Sequence, residues 1–252
     1  MKISLGHRVY GLAAVMFGVI SLVWRDFGAP WQQIQFLGDV SHREILVYVA
    51  AIVEIAGGLA MQWRSTARAG AVALGCLFLF FGLTWAPRIA KEPLVYDRWG
   101  NLFEQLSIVS GAMVAYGMLS SGGGTQRSAR VARIGYVCFG VCVISFTLEQ
   151  LFYLSGTASF VPKWIPPGQM FWAVVTTIAF ALAAIALLAG VKALLAARLL
   201  TVMIIGFQLL VWLPAPFGNP HALISWAGNA QNLAIAGASW IVMDYLSSGV
   251  RS

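Results

Sequence analysis

LTWAPRIAKEPLVYDRWGNLFEQLSI, from Leu83 to Ile108, returns later in the chain as LVWLPAPFGNPHALISWAGNAQNLAI, from Leu210 to Ile235. At one fixed offset Leu83, Trp85, Pro87, Pro93, Trp99, Leu106 and Ile108 meet Leu210, Trp212, Pro214, Pro220, Trp226, Leu233 and Ile235. With only 10 Trp and 9 Pro in 252 residues, four Trp and Pro coincidences mark a duplicated unit. A fainter echo links RVYGLAAVMFGVISLVW (Arg8 to Trp24) to RVARIGYVCFGVCVISF (Arg130 to Phe146). A short apolar first segment behind Lys2 and Arg8 could pass for a cleaved signal peptide. Its counterpart inside the chain argues that it belongs to the fold.

The chain is 60% hydrophobic and 10% charged, with mean hydropathy +0.80. A soluble domain carries roughly a quarter charged residues, so an ordinary soluble protein is excluded. Eight apolar runs are long enough for a hydrocarbon layer of roughly 30 Å. They lie near Val9–Trp24, Ile45–Trp63, Ala69–Trp85, Leu102–Leu119, Ile134–Leu154, Met170–Val191, Ala193–Leu213 and Ala222–Leu246. The runs are continuously apolar rather than alternating, which favours helices over a barrel. The expectation is an all-α polytopic membrane protein with eight transmembrane helices in two four-helix halves, residues 1–120 and 130–252. A Gly/Ser linker over 121–129 joins them. Each half begins on the same side and has an even number of spans, so the halves are expected to be parallel repeats.

Lys and Arg set the orientation. Lys2, Arg8, Arg64, Arg68, Arg127, Arg130, Arg133, Lys192, Arg198 and Arg251 fall on the amino-terminal side of the spans. Arg25, Arg43, Arg88, Lys91, Arg98 and Lys163 fall on the other. Ten against six places both termini in the cytoplasm. The net charge of +7 therefore reports topology. No dense basic run with interleaved aromatics indicates nucleic acid. The outward loops are the longer ones and hold Trp24, Trp31, Trp85, Trp99, Trp164, Trp212 and Trp226. An interfacial aromatic belt explains most of these. The recurring Pro30-Trp31 and Pro162-Lys163-Trp164 add a shaped outer cap. Gly57-Gly58, the stretch ending at Gly190, and Gly237 read as close helix contacts inside the bundle.

Three carboxylates fall within spans, at Glu54, Glu104 and Glu149. An acid in hydrocarbon is costly, so such residues face the bundle interior or a partner. Glu104 and Glu149 lie at a similar depth toward the outer side. Asn101 precedes Glu104 by three positions on one helical face, and Asn229 and Asn232 repeat that spacing. These residues, with Arg25 reaching from outside, form an expected polar cluster of Arg25, Asn101, Glu104, Glu149, Asn229 and Asn232. Trp99 and Trp226 would roof it, and Arg88 and Arg98 are within reach of the same layer. The cluster reads either as a network locking the halves together or as a ligand site, for instance for a quinone head group. Glu54 has no evident partner and reads as a protonated or hydrogen-bonded core acid, or as a proton relay.

No metal site is expected. His7 sits at the inner end, His42 and His221 lie outside the spans, and no span supplies facing histidines for haem. Cys76, Cys138 and Cys142 form no Cys-x-x-Cys motif, disfavour a membrane thiol oxidoreductase and read as packing residues. Gly122-Gly123-Gly124 has no following Lys, and no nucleophile elbow or triad is visible.

The loops WAPRIAKEP and W-G-N-x-x-E-Q-L, together with VPKWIPPGQMFW and tandem four-helix halves, resemble the DoxX-like family of bacterial membrane proteins. The likeness covers essentially the whole chain. It implies a multipass protein of the bacterial cytoplasmic membrane, with a respiratory or redox link. One relative is a membrane subunit associated with thiosulfate:quinone oxidoreduction. A subunit that is not an enzyme on its own, with quinone as ligand, the lipid bilayer around it and a redox protein as partner, follows from that likeness. Family members often have His after the Glu of the fifth span. Here Gln150 follows Glu149, which speaks against a His-dependent role. A small-solute permease and a non-catalytic membrane scaffold are the alternatives.

Overall fold

The computed structural model describes residues 3–27, 32, 42–120 and 126–249. The Pro30-Trp31 pair and the first part of the expected linker, 121–125, lie outside the described residues. So do Lys2 and Arg251.

Helices account for the described chain, and no strand occurs among the described residues. They are α1 (Leu5–Trp24), α2 (Arg43–Ala60), α3 (Arg64–Leu83), the short α4 (Ala86–Lys91), α5 (Tyr96–Met118), α6 (Gln126–Phe152), the short α7 (Leu154–Phe160), α8 (Gln169–Ala189), α9 (Ala193–Phe207), the short α10 (Ala215–Gly218) and α11 (Leu223–Ser247). A π-helical turn over Gln208–Trp212 extends α9. The expected linker is shorter than the sequence indicates, because α6 has already begun at Gln126. Arg127, Arg130 and Arg133 carry that helix beyond its apolar stretch.

Five segments are long and apolar enough to cross a membrane: Leu5–Trp24, Arg64–Lys91, Gln126–Phe152, Gln169–Ala189 and Ala193–Gly218. That makes this a helical membrane protein. The remaining three expected spans, α2, α5 and α11, fall short of that measure. Arg43, Glu44 and Glu54 load α2 with charge. Asp97, Arg98, Asn101, Glu104 and Gln105 interrupt α5, while Asn229, Gln231 and Asn232 interrupt α11. Of these, α5 and α11 are nonetheless enclosed, whereas α2 turns Ile45, Leu46, Val49 and Ile52 outward. Gln105, Asn229, Gln231 and Asn232 are buried, as are most residues of α11 between Ser225 and Val242.

The long helices follow one another around a closed circuit. α1 packs on α2, α2 on α3, α3 on α5, α5 on α6, α6 on α8, α8 on α9, α9 on α11, and α11 back on α1. α5 and α11 also touch across the middle. They run side by side in the same direction. Gln231 Nε2 donates to Glu104 Oε2 at 3.2 Å, 127 positions apart. Seven residues further along both helices, a Cβ on Gly111 would lie 2.5 Å from the Ala238 Cβ. Small residues are needed where backbones come this close. Tyr10 of α1 lies against Gly237 of α11, and its hydroxyl donates to the Ile108 carbonyl of α5 at 3.0 Å.

The duplicated stretches fold alike. Glu92 and Asn219 end α4 and α10 with closely similar dihedrals, φ −132 ψ 64 and φ −146 ψ 78. Their N–H groups donate back to Arg88 O at 2.8 Å and to Ala215 O at 3.0 Å. Val95 and Ala222 then cap α5 and α11 with matching extended dihedrals. Trp99 Nε1 donates to Pro93 O at 3.0 Å, and Trp226 Nε1 to Pro220 O at 2.9 Å. The tryptophan closes its own loop by donating its indole N–H to a proline carbonyl that lies outside the helices. Trp172 repeats the device with Pro166 at 2.9 Å.

Of the expected glycine contacts, Gly57 and Gly58 pack against Leu74 and Gly11, and Gly237 against Tyr10. Gly190 instead stops α8 in the left-handed conformation, φ 73, with open space beside its α-carbon. It is a cap rather than a contact.

Candidate functional site

The interiors of the two halves differ. In the first, Phe17, Phe78, Phe81 and Phe27 are fully buried and touch in series, at centroid distances of 5.9, 6.4 and 5.9 Å. Beside them, Gln32 Nε2 donates to Glu54 Oε1 at 2.8 Å. Glu54 thus has a partner that the sequence did not reveal, and both side chains are fully buried. Arg43, paired with Asp26 at 2.7 Å, stacks over Phe27.

A half-open cavity of about 310 Å3 lies in the second half, with Glu104 of α5 on its wall. Two aromatic strips face it. Phe146 meets Phe180 edge-on at 5.7 Å, and Phe180 leads to Phe207 at 6.2 Å. Phe160 of α7 pairs with Trp212 at 5.8 Å on the other side, with Trp172 nearby on the wall. Polar groups enter from Glu104 of α5, Glu149 and Gln150 of α6, Thr157 of α7, Thr176 of α8 and Asn232 of α11.

The expected polar cluster is partly assembled and partly dispersed. Glu104, Glu149 and Asn232 do share the cavity wall. Glu149 lies against Gly100, where a Cβ would come within 1.4 Å of its Oε2. Glycine at that position is what admits the carboxyl. Asn101 turns back on its own helix and donates to the Asp97 carbonyl. Asn229 and Asn232 are held by α9 rather than by an arginine. Asn232 Nδ2 donates to Ile204 O at 3.1 Å and to Gln208 Oε1 at 2.9 Å, while Gln208 Nε2 donates to Asn229 Oδ1 at 2.7 Å. Asn229 Nδ2 also donates to the Trp212 carbonyl. These bonds take up backbone carbonyls of the last turns of α9 and account for the π turn there.

The arginines are elsewhere. Arg25 is exposed at the left-handed end of α1. Arg98 binds Glu92 and Asp97 at 3.1 and 3.0 Å, and Arg88 stacks over Trp85 at 4.4 Å. Nor do Trp99 and Trp226 roof the cavity. They brace their own loops, and Trp226 packs on Trp24 at 6.4 Å. Trp172 and Trp212 are the tryptophans that line it.

Glutamines are the residues that sequence reasoning missed. Gln231 faces Glu104, and Gln105 Nε2 approaches Gln231 Oε1 at 3.4 Å. Gln231 occupies the position of Glu104 shifted by the repeat offset, so the offset itself held the signal. The Asn-x-x-polar spacing pointed one turn's face aside, to Asn229 and Asn232. Gln150 Oε1 accepts from Thr177 and Thr176 at 3.0 and 3.3 Å, anchoring α6 to α8 beside Glu149.

Cys142 is buried, but Cys76 and Cys138 are exposed on the outside of the bundle, which corrects their reading as packing residues. His7 is buried with Nδ1 at 2.7 Å from the Ser4 hydroxyl, and His42 and His221 are exposed. Among the described residues no group of three His, Cys, Asp or Glu is placed to hold a metal ion. Compared with family models, with curated proteins and with solved structures, the chain matches none.

Proposed function

We propose that this chain is a multispanning protein of a bacterial cytoplasmic membrane whose second half holds an amphiphile drawn from the lipid phase. The single observation that carries this reading is the cavity. It has carboxyl and amide groups at one wall, aromatic rings elsewhere and a volume of about 310 Å3. Small-molecule sites run from roughly 300 Å3 upward and combine apolar walls with a few convergent polar groups.

The topology in this proposal has eight spans in two parallel repeats. Exchanging α1, α2, α3 and α5 for α6, α8, α9 and α11 leaves the order of neighbours unchanged. Glu104 with Gln231, and Gly111 with Ala238, meet as equivalent positions between parallel helices. This supports an axis along the membrane normal. α2, α5 and α11 join the five more apolar helices as spans because their polar groups turn to one another, as membrane helices require. The bias of Lys and Arg then puts both termini in the cytoplasm and the cavity toward the outer leaflet.

The redox link implied by the DoxX-like resemblance fits a quinol-type head group, whose hydroxyls would donate to Glu104 or Glu149. Mass spectrometry of small molecules retained by protein purified from its native membrane tests this. A quinone-class compound in near-equimolar amount is the expected result. Bulk phospholipid alone would contradict it. The two acids, with no cation beside them, favour a second reading as a permease. Uptake into proteoliposomes that depends on Glu149 would establish that reading.

A further inference from the structure

Every ionisable group on the cavity wall is an acid. Glu104 and Glu149 both reach it, while Lys, Arg and His are absent from its lining. The other charged group acting on both acids is Asp97, a third acid, itself paired with Arg98 on the rim. Lys163 adjoins the lining residue Pro162 but is exposed and outside the cavity. Glu104 has one oxygen engaged by Gln231, and the Glu149 carboxyl accepts no hydrogen bond among the described residues. The wall therefore offers free acceptors to whatever enters. Of its amide groups, Asn232 donates to Ile204 and Gln208, while Gln150 uses its oxygen to accept from Thr176 and Thr177.

The same lining includes the rings of Phe146, Phe180, Phe207, Phe160, Trp172 and Trp212. Aromatic rings attract a cation through their quadrupole, and more strongly when water is excluded. A carboxyl beside the rings can give up its proton to pair with such a cation. We infer that the cavity selects an organic cation, a quaternary or protonated amine carried on an apolar body, held between the aromatic strips and Glu149 with Glu104 behind it. This inference rests on the cavity being a ligand site, and is independent of any redox role. It distinguishes donors and cations from acceptors. A quinone carbonyl finds the Gln150 amide on this wall, whereas an ammonium finds two carboxyls.

The test uses the full chain in nanodiscs, with empty discs subtracted, and titrates three probes by calorimetry. They are benzyltrimethylammonium, its uncharged isostere neopentylbenzene, and decylubiquinol. Binding of the cation at least about tenfold tighter than its isostere is expected. Glu149→Gln, which removes no hydrogen bond within the protein, should weaken the cation about tenfold and decylubiquinol far less, because the amide oxygen still accepts from a hydroxyl. Glu104→Gln, which keeps an acceptor for Gln231, should weaken it to a lesser degree. Glu92→Gln, on the exposed rim, should change nothing. Equal binding of cation and isostere, or cation binding indifferent to Glu149→Gln, would overturn the inference. If decylubiquinol still bound, the ligand site itself would stand. Failure of all three probes would instead overturn the site.

Discussion

One half of this molecule is filled and the other is hollow, though both grew from the same repeat. Where α3 presents Phe78 and Phe81 to Phe17 and Phe27, rings close the interior, and Gln32 is the partner of Glu54 among the described residues. At the matching place α9 presents Ile205 and Gln208, and Gln208 is drawn sideways by Asn229 and Asn232 into a π turn. Trp212 then swings over Gly228, whose α-carbon leaves no room for a Cβ beneath the ring. The cavity opens beside that turn, where Ile204, Phe207, Val211 and Trp212 line it. Duplication supplies the frame, and divergence at a few interior positions supplies the site.

Core truncation should break the comparison most visibly. Phe81→Ala removes a fully buried ring from a closed cluster and should cost about 3–5 kcal/mol in detergent unfolding. Phe207→Ala only widens a space already present and should cost ~1 kcal/mol or less. Similar losses for both would mean the two interiors are packed alike.

The acids come next. Glu104→Ala leaves Gln231 without its acceptor and should destabilise by about 1–3 kcal/mol. Glu92→Ala, which removes one exposed pair with Arg98, should cost under ~1 kcal/mol. Equal detergent melting temperatures for the two variants would misplace Glu104.

The repeated loop lock predicts equality rather than difference. Trp99→Phe and Trp226→Phe each delete one bond to a proline carbonyl, and each should cost ~1 kcal/mol. An effect confined to one of them would show that only one loop depends on its tryptophan. Smallest of all, Glu149→Gln should shift stability by no more than about 0.5 kcal/mol, because no protein group depends on that carboxyl. A large loss would assign Glu149 a structural partner and remove it from ligand binding.

The repeat was legible because Trp and Pro carry backbone chemistry. A proline carbonyl six residues before a tryptophan specifies the same loop twice, whatever lies between. Helix positions were legible from apolarity, but charged first turns were not, so α6 starts at Gln126 rather than near Ile134 and α5 is misplaced in the same way. The latter starts at Tyr96 rather than near Leu102, since Asp97 and Arg98 belong to its first turn and disguise it as loop. The candidate site was half legible. Apolarity flags a buried acid, so Glu104 and Glu149 stood out, whereas glutamines at the same depth did not. Which loop tryptophans would line a cavity depended on Gly228 and on the π turn, and neither leaves a period or a motif in sequence. Arg25, Arg88 and Arg98 were assigned by reach alone, whereas Arg88 and Arg98 take partners set by short local turns and Arg25 is exposed.

A density map of the protein purified from its native membrane tests the contrast between the halves most directly. Non-protein density is expected between Trp212 and Glu149, with none among Phe17, Phe78 and Phe81. Density within the first half, or side chains of the second collapsed together with no space between α7 and α9, would contradict it.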